Sequence, residues 1–279
     1  MTPYTLWKAA NVAAICAVGA GRVRPRALMG ALIGSATLFA LGVRDLRLGF
    51  FGRSVWRGKR ASQCLSLTFD DGPDPILTPE ILKILEQYGI TATFFVVGDR
   101  AKCRPDLVRS VREHGHTVGC HDLHHRGIEN FRFFRRAYQD IGSATSIIEG
   151  IIGYRPRLYR PPVGLMNPHI AKAVNSLNLT CIGWSSSAGD AGNRRINGIR
   201  QIGRLGQSGD IVLLHDSVGN PALIDLVLDQ LDMLCSRITS LGLKGVSVDQ
   251  LTAIPAYSRG TGVLNPCAER RRVDNRSVK

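Results

Sequence analysis

"CLSLTFDDGP", Cys64 to Pro73, is an apolar run that ends on two neighbouring carboxylates and a Gly-Pro pair. The segment "CLSLTF" reads as a buried strand, and Gly72-Pro73 forces a tight turn directly behind Asp70 and Asp71. Outward from this strand the chain alternates. "TPEILKILEQYG" (78–89) reads as a helix with Thr78 as N-cap, Pro79 at its first position and Gly89 as its C-terminal glycine. "TATFFVV" (91–97) is a strand, "RPDLVRSVREHG" (104–115) a helix and "HTVGC" (116–120) a strand. The stretch 131–152 is helical, "RLYR" ends a strand, and 167–178 is helical. "TCIGW" (180–184) and "DIVLLH" (210–215) are strands, 221–241 is a helix and "GVSV" (245–248) a last short strand. Strands separated by helices at this spacing run parallel, with the helices outside, in a barrel or an open sheet.

"FDDGP", "HDLHH", "RPP", "WSSSAGD" and "LHD" each follow one of these strands. In parallel α/β architectures those ends share one face, so polar clusters more than a hundred residues apart converge there.

The chain has 279 residues, enough for one large α/β domain with appendages. Its formal charge of +14 suits an anionic partner, although Arg259, Arg270, Arg271, Arg272, Arg276 and Lys279 concentrate part of it in the tail. No nucleic-acid module signature is present, and nucleic acid is not an expected partner. The seven cysteines are scattered and include no C-x-x-C, which speaks against a disulfide scaffold and against a thiolate zinc site.

Two uncharged runs precede the alternating region, 9–21 and 27–43, the second bracketed by Arg26 and Arg44. They read as one or two membrane-spanning helices at the short end of the required length. A signal peptide and a pair of soluble core helices are the competing readings. With Arg22, Arg24 and Arg26 held in the cytoplasm, the rest of the chain is exported, and an inner-membrane anchor with an external catalytic unit is expected. The expected division is a hydrophobic anchor region (1–60), a catalytic domain (61–255) and a basic, disordered tail (256–279).

Asp70 and Asp71 point in different directions at a strand end, so one can bind a metal while the other accepts a proton. An Asx turn capping the strand is the plainer alternative. His121 and His125 are four apart, which puts both rings on one side of a helical segment. One Asp and two His with open positions suit a hydrolytic Zn²⁺. His114 and His116 read as surface or turn residues and His169 as solvent-facing.

From about Leu65 to Ile254 the chain resembles the polysaccharide deacetylase domain, the NodB-homology fold of carbohydrate esterase family 4. The resemblance is carried, in order, by "TFDDGP" (68–73), "HDLHH" (121–125), "RPP" (160–162), "WSSSAGD" (184–190) and "LLHD" (213–216). It implies a distorted (β/α) barrel holding a divalent metal, usually zinc, on Asp71, His121 and His125. It further implies Asp70 as general base and His215 as general acid. Arg160 would keep the base ionised, Asp190 would orient the catalytic histidine, and the backbone N–H of Val163 would stabilise the oxyanion. Asp122 stands where the family often has Ser or Thr, Val163 where an aromatic is usual, and Ser187 and Ala191 where Asp and Trp often stand.

The expected activity is removal of N-acetyl, or other N-acyl, groups from amino sugars of a cell-envelope glycan. Two alternatives stand beside it: a deacylase or deformylase of a lipid-linked amino sugar, and a catalytically silent carbohydrate-binding domain.

Overall fold

The computed structural model describes residues 2–19, 25–59, 63–125, 132–190 and 207–259. Two antiparallel-packed helices come first, α1 (Pro3–Gly19) and α2 (Pro25–Arg44), then a short strand β1 (Ser54–Val55). The alternating region runs β2 (Cys64–Asp70), α3 (Leu77–Gln87), β3 (Thr93–Val96), α4 (Gly98–Cys103), α5 (Pro105–Glu113) and β4 (Thr117–Cys120). It continues through α6 (Phe134–Ile152), β5 (Tyr154–Pro156), β6 (Leu158–Tyr159), α7 (Pro168–Ser176), β7 (Thr180–Ile182) and β8 (Ser186–Ser187). β9 (Ile211–His215), α8 (Ile224–Ser240), β10 (Lys244–Gly245), α9 (Val248–Thr252) and β11 (Tyr257–Arg259) complete it.

Nine strands form one sheet in the order β1-β7-β6-β4-β3-β2-β9-β8, with β10 also on β2, and every pairing in it is parallel. The sheet is an open, distorted (β/α) barrel, as the sequence implied. Its central strand explains the curl. Leu65, Leu67 and Phe69 of β2 face outward into the layer shared with Ile81, Leu85, Leu231 and Leu234 of α3 and α8. Ser66, Thr68 and Asp70 alternate with them and line the inner face. Inside the curl a second core of Phe95, Leu158, Ile182 and Ile211 is closed below by Val248 and Leu251 of α9.

Several local expectations are corrected. Thr78 is not the N-cap of α3, and Pro79 is the third residue of that helix rather than its first. Asp74 caps the helix instead, its Oδ1 accepting from the N–H groups of Ile76 and Leu77, both at 2.9 Å. The Asp outcompetes because it sits upstream in the Gly-Pro turn, which aims its carboxylate at those N–H groups. Gly89, at φ 62°, does terminate α3. Tyr257–Arg259 lies in the stretch read as a disordered tail, yet it pairs antiparallel with β5. Residues 260–279 lie outside the described residues.

The described residues of the two apolar runs belong to longer helices, α1 and α2. They join the domain through an aromatic cluster in which Tyr4, Trp7 and Phe39 pack on the buried Phe50 and Phe51. Only 6% of the apolar window in Arg26–Arg44 is buried, less than a soluble core helix would show. Arg22 and Arg24 lie outside the described residues.

Candidate active site at the strand ends

Thr68 and Asp70 are two residues apart on β2 and so share its inner face. Against that face lies Arg160, which follows β6 and is wholly buried. Its Nη1 donates to Thr68 Oγ1 at 2.7 Å and to Asp70 Oδ1 at 2.8 Å. Nε donates to the Ile182 carbonyl at 3.2 Å and Nη2 to the Gly183 carbonyl at 3.0 Å. The guanidinium carbon is 4.3 Å from the centre of the Phe95 ring. A buried cation needs that degree of compensation. Burial pulls the Arg160 pKa down, and the Asp70 charge acts against it. Asp70 Oδ1 is thus committed to Arg160, while Oδ2 lies 3.7 Å from His121 Nε2.

Asp71 follows with φ at 72°, so its carboxylate leaves the line of the strand. Its Oδ1 is 3.3 Å from His121 Nε2 and 2.9 Å from His125 Nε2. The two histidines are not on a helix, as the four-residue spacing suggested. They belong to a loop after β4 in which Asp122 and His125 take φ of 72° and 56°, and this folds both rings to one side. His121 Nδ1 is 2.8 Å from the Arg160 carbonyl, which only accepts, so Nδ1 donates there and Nε2 faces Asp71. Burial raises the Asp71 carboxyl, but the adjoining imidazoles outweigh it and hold the group far below the usual carboxylate range. His125 is raised in turn, against its own burial, by Asp71.

These ligand atoms fit a divalent cation. All three lie within 4.8 Å of one another, and Asp71 Oδ1 is a buried oxygen with no hydrogen bond made to it. Two imidazole nitrogens and a carboxylate oxygen are the donor set that such a cation takes, with positions left for water or substrate.

His215 is the register partner of Asp70 across the β2–β9 pair, which puts the two side chains on the same face of adjacent strands. Asp190 accepts from His215 twice, Oδ1 from the ring Nδ1 at 2.8 Å and Oδ2 from the backbone N–H at 2.9 Å. That fixes the ring, and no described residue bonds its Nε2. Burial lowers the His215 pKa, but the hydrogen bond and charge of Asp190, with Asp70 and Asp71 adding, raise it overall. Val163 sits at φ 57° after the double proline, and no described residue accepts from its N–H. Its side chain is 65% exposed, so the departure from an aromatic leaves the backbone geometry to Pro161 and Pro162. Gly164 (φ 68°) packs on Trp184, where a Cβ would meet the indole at 2.3 Å. Trp184 therefore both packs on the motif turns and stands beside Arg160, 5.7 Å from its guanidinium carbon. Ser187 forms part of β8, whereas Ala191 lies outside the described residues.

Other polar residues hold this arrangement. Asp122 is 1% exposed and accepts from the Leu123 N–H, the Tyr159 hydroxyl and Arg132, so it pins the ligand loop rather than touching His125. His124 turns away to Asp99 at 2.5 Å. His116, read as a surface residue, is buried; its Nδ1 accepts from the Ala92 N–H, and burial pushes its pKa down to about 4. His114 is exposed and His169 half-buried against Phe133. Sequence reasoning missed Thr68 and Arg132. Only the two-residue offset from Asp70 pointed to Thr68, and nothing local pointed to Arg132.

Asp216 lies beneath the Asp-Asp-Gly-Pro turn, fully buried, and accepts from Thr78 Oγ1 at 2.6 Å. Burial pushes its carboxyl well above the ordinary range, with the Thr78 hydroxyl opposing. Gly72 passes so close that a Cβ there would be 2.2 Å from Asp216 Oδ2. Gly72→Ala is expected to cost about 2 kcal/mol of stability by overpacking this turn. A denaturation midpoint equal to that of the parent protein would show that the turn has room.

The strand ends of this curled parallel sheet gather three donors that could hold a cation, a separate arginine-bound Asp and an Asp-bound His, a residue set suited to hydrolysis. The chain belongs to the polysaccharide deacetylase family, whose profile matches residues 57–182. It is 34% identical over 168 residues to a peptidoglycan-N-acetylglucosamine deacetylase of Bacillus cereus, covering 59% of this chain and 78% of the relative. A chitooligosaccharide deacetylase of Azorhizobium caulinodans is 36% identical over 152 residues, covering 54% and 72% of the two chains. A crystal structure of a peptidoglycan N-acetylglucosamine deacetylase superposes with a TM-score of 0.68 at 25% identity, covering 74% of this chain and 95% of the other.

Proposed function

We propose that this chain hydrolyses the N-acetyl group of an amino sugar in a cell-envelope glycan. The observation that carries this reading is the placement of Asp70 and His215 as register partners beside the Asp71-His121-His125 cluster. Those three residues hold a divalent cation, with zinc the expected metal from the nitrogen-rich donor set. When bound, the cation supplies Lewis-acid chemistry, polarising an amide carbonyl and acidifying water.

The chain's own residues do the rest. Asp70, with Oδ1 held by Arg160, keeps Oδ2 towards the cluster and takes the proton of the attacking water. Arg160 supplies the buried positive charge that pairs with the base and fixes its Oδ1. The free N–H of Val163 is placed to donate to the developing oxyanion. His215 delivers a proton from Nε2 to the leaving amine, and Asp190 holds it in that tautomer. A silent carbohydrate-binding domain is the less supported reading, since the base, the acid and all three ligands are present and grouped.

The role of Asp190 has a pH signature. A general acid works protonated, and the raised His215 pKa preserves that form to higher pH than an unpartnered imidazole would. Asp190→Asn removes the nearest negative charge, so the alkaline limb of the kcat profile is expected to move down by roughly 1–2 pH units. An unmoved alkaline limb would assign that limb to another group.

We propose as well that α2 anchors the protein in the cytoplasmic membrane, with the catalytic unit outside. Its 20 residues make a helix of about 30 Å, the thickness of a bilayer core. Functionally the chain then divides into an anchor formed by α1 and α2 and a catalytic unit that runs from β1 to β11. Acetate and free amine released in equal amounts from an N-acetylglucosamine oligosaccharide would support the activity; absence of both from every N-acetylated envelope glycan tried would defeat it.

A further inference from the structure

A cleft of about 260 Å³ opens where α2 meets the sheet, lined by Arg44, Arg47, Trp184, Ser185 and Ser187. Arg44 is the last residue of α2, is exposed, and makes no hydrogen bond or ion pair with the described residues. Arg47 is held in place rather than neutral: its Nε and Nη2 clasp both oxygens of Asp45 at 2.8 to 3.2 Å, leaving Nη1 uncommitted. With Asp45 counted, the cleft keeps a net positive charge from two guanidinium groups, one of them pre-oriented. Ser187 adds an exposed hydroxyl.

The cleft is not remote from the chemistry. Trp184 lines it and also packs against Gly164 and Arg160, and Ser187 stands three residues before Asp190. The α2 end is tied to the same turn, because the Met166 N–H donates to the Val43 carbonyl at 3.1 Å. Trp184 and the Met166–Val43 bond thus join the cleft to elements that carry the candidate site. Arg44 also closes the apolar span of α2, which places the cleft at the level of lipid phosphates if α2 crosses a bilayer.

We propose that this cleft binds a phosphate carried by the substrate itself, so that the preferred substrate is an N-acylated amino sugar joined through phosphate to a membrane lipid. Arginine is suited to this: the planar fork of Arg44 can donate two hydrogen bonds to a phosphate, and Arg47 adds the uncommitted Nη1. The proposal rests on the amino-sugar deacylase reading above. It commits to the substrate's phosphate, and not to a bystander phospholipid headgroup, because the Trp184 wall is shared with the candidate catalytic residues.

The test uses the full chain in neutral detergent, with N-acetylglucosamine 1-phosphate and an uncharged N-acetylglucosamine oligosaccharide as probes. Arg44→Gln combined with Arg47→Gln is expected to raise KM for the sugar phosphate about tenfold, through loss of charge-assisted hydrogen bonds. The kcat for both probes, and KM for the oligosaccharide, should stay unchanged. Equal effects on both probes, or none on either, overturn the proposal. So does a variant that loses binding to phosphatidylglycerol vesicles while keeping its KM for the sugar phosphate, which would make the cleft a headgroup site. If the parent protein hydrolyses neither probe, the deacylase reading has failed separately. Calorimetric binding of the sugar phosphate to parent and variant then decides the cleft, equal affinities counting against it.

Discussion

Asp70→Asn is expected to lower kcat by about 10³-fold while leaving the bound metal in place. The asparagine keeps an oxygen for Arg160 Nη1, which Asp70 Oδ1 accepts at 2.8 Å, so the shape of the inner face survives. Lost are the negative charge opposite a fully buried guanidinium and the basicity of Oδ2 towards the Asp71-His121-His125 cluster. Breaking the charge balance of a buried pair should cost stability as well, on the order of 2–4 kcal/mol. Metal content separates the two aspartates. If Asp70→Asn loses metal as readily as activity, the division of labour between Asp70 and Asp71 is wrong.

His125→Ala is the complementary case. His125 and Asp71 are 2.9 Å apart and His121 and Asp71 3.3 Å, so the substitution removes one of three ligands and leaves an Asp-His pair. Metal affinity should fall by more than about 10²-fold, since even the partners of ligands are worth 10 to 100-fold. Hydrolysis should vanish with it. The fold should not suffer, because the side chain is 27% exposed and belongs to a loop rather than to either core. The sign of the pH effect is fixed too. The cation needs deprotonated imidazoles, and Asp71 raises the His125 pKa, so affinity should drop as pH falls through the raised value. A His125→Ala protein that binds zinc as tightly as the parent would remove His125 from the site.

The strand-ending turn at Cys64–Pro73 was readable because its polarity changes abruptly. A largely buried run stops at two carboxylates, the pattern of a sheet interior that ends on a polar rim. The convergence of Asp71, His121, His125 and His215 follows from parallel topology, which places successive strand ends on one face. The local path did not follow. A spacing of four is met equally by a helix and by a loop with two residues at positive φ, and sequence spacing cannot separate them. Arg160 was legible as a motif residue, but its four acceptors come from β2 and from the end of β7, so the lock on Asp70 exists only in the folded sheet. Asp122 stood out as a departure, yet its partner Arg132 lies ten residues on, with no pattern joining them. Thr78 looked like a helix cap because capping and buried hydroxyl bonding select the same residue type.

The measurement closest to the centre of this account is acetate release from an N-acetylglucosamine oligosaccharide by the purified full chain, before chelation, after it, and after zinc is restored. The account predicts release matched by free amine, loss with the metal, and recovery at about one zinc per chain. Hydrolysis that persists in the metal-free protein, or a protein that takes up one zinc at Asp71, His121 and His125 and still releases no acetate from any N-acetylated envelope glycan, would contradict it.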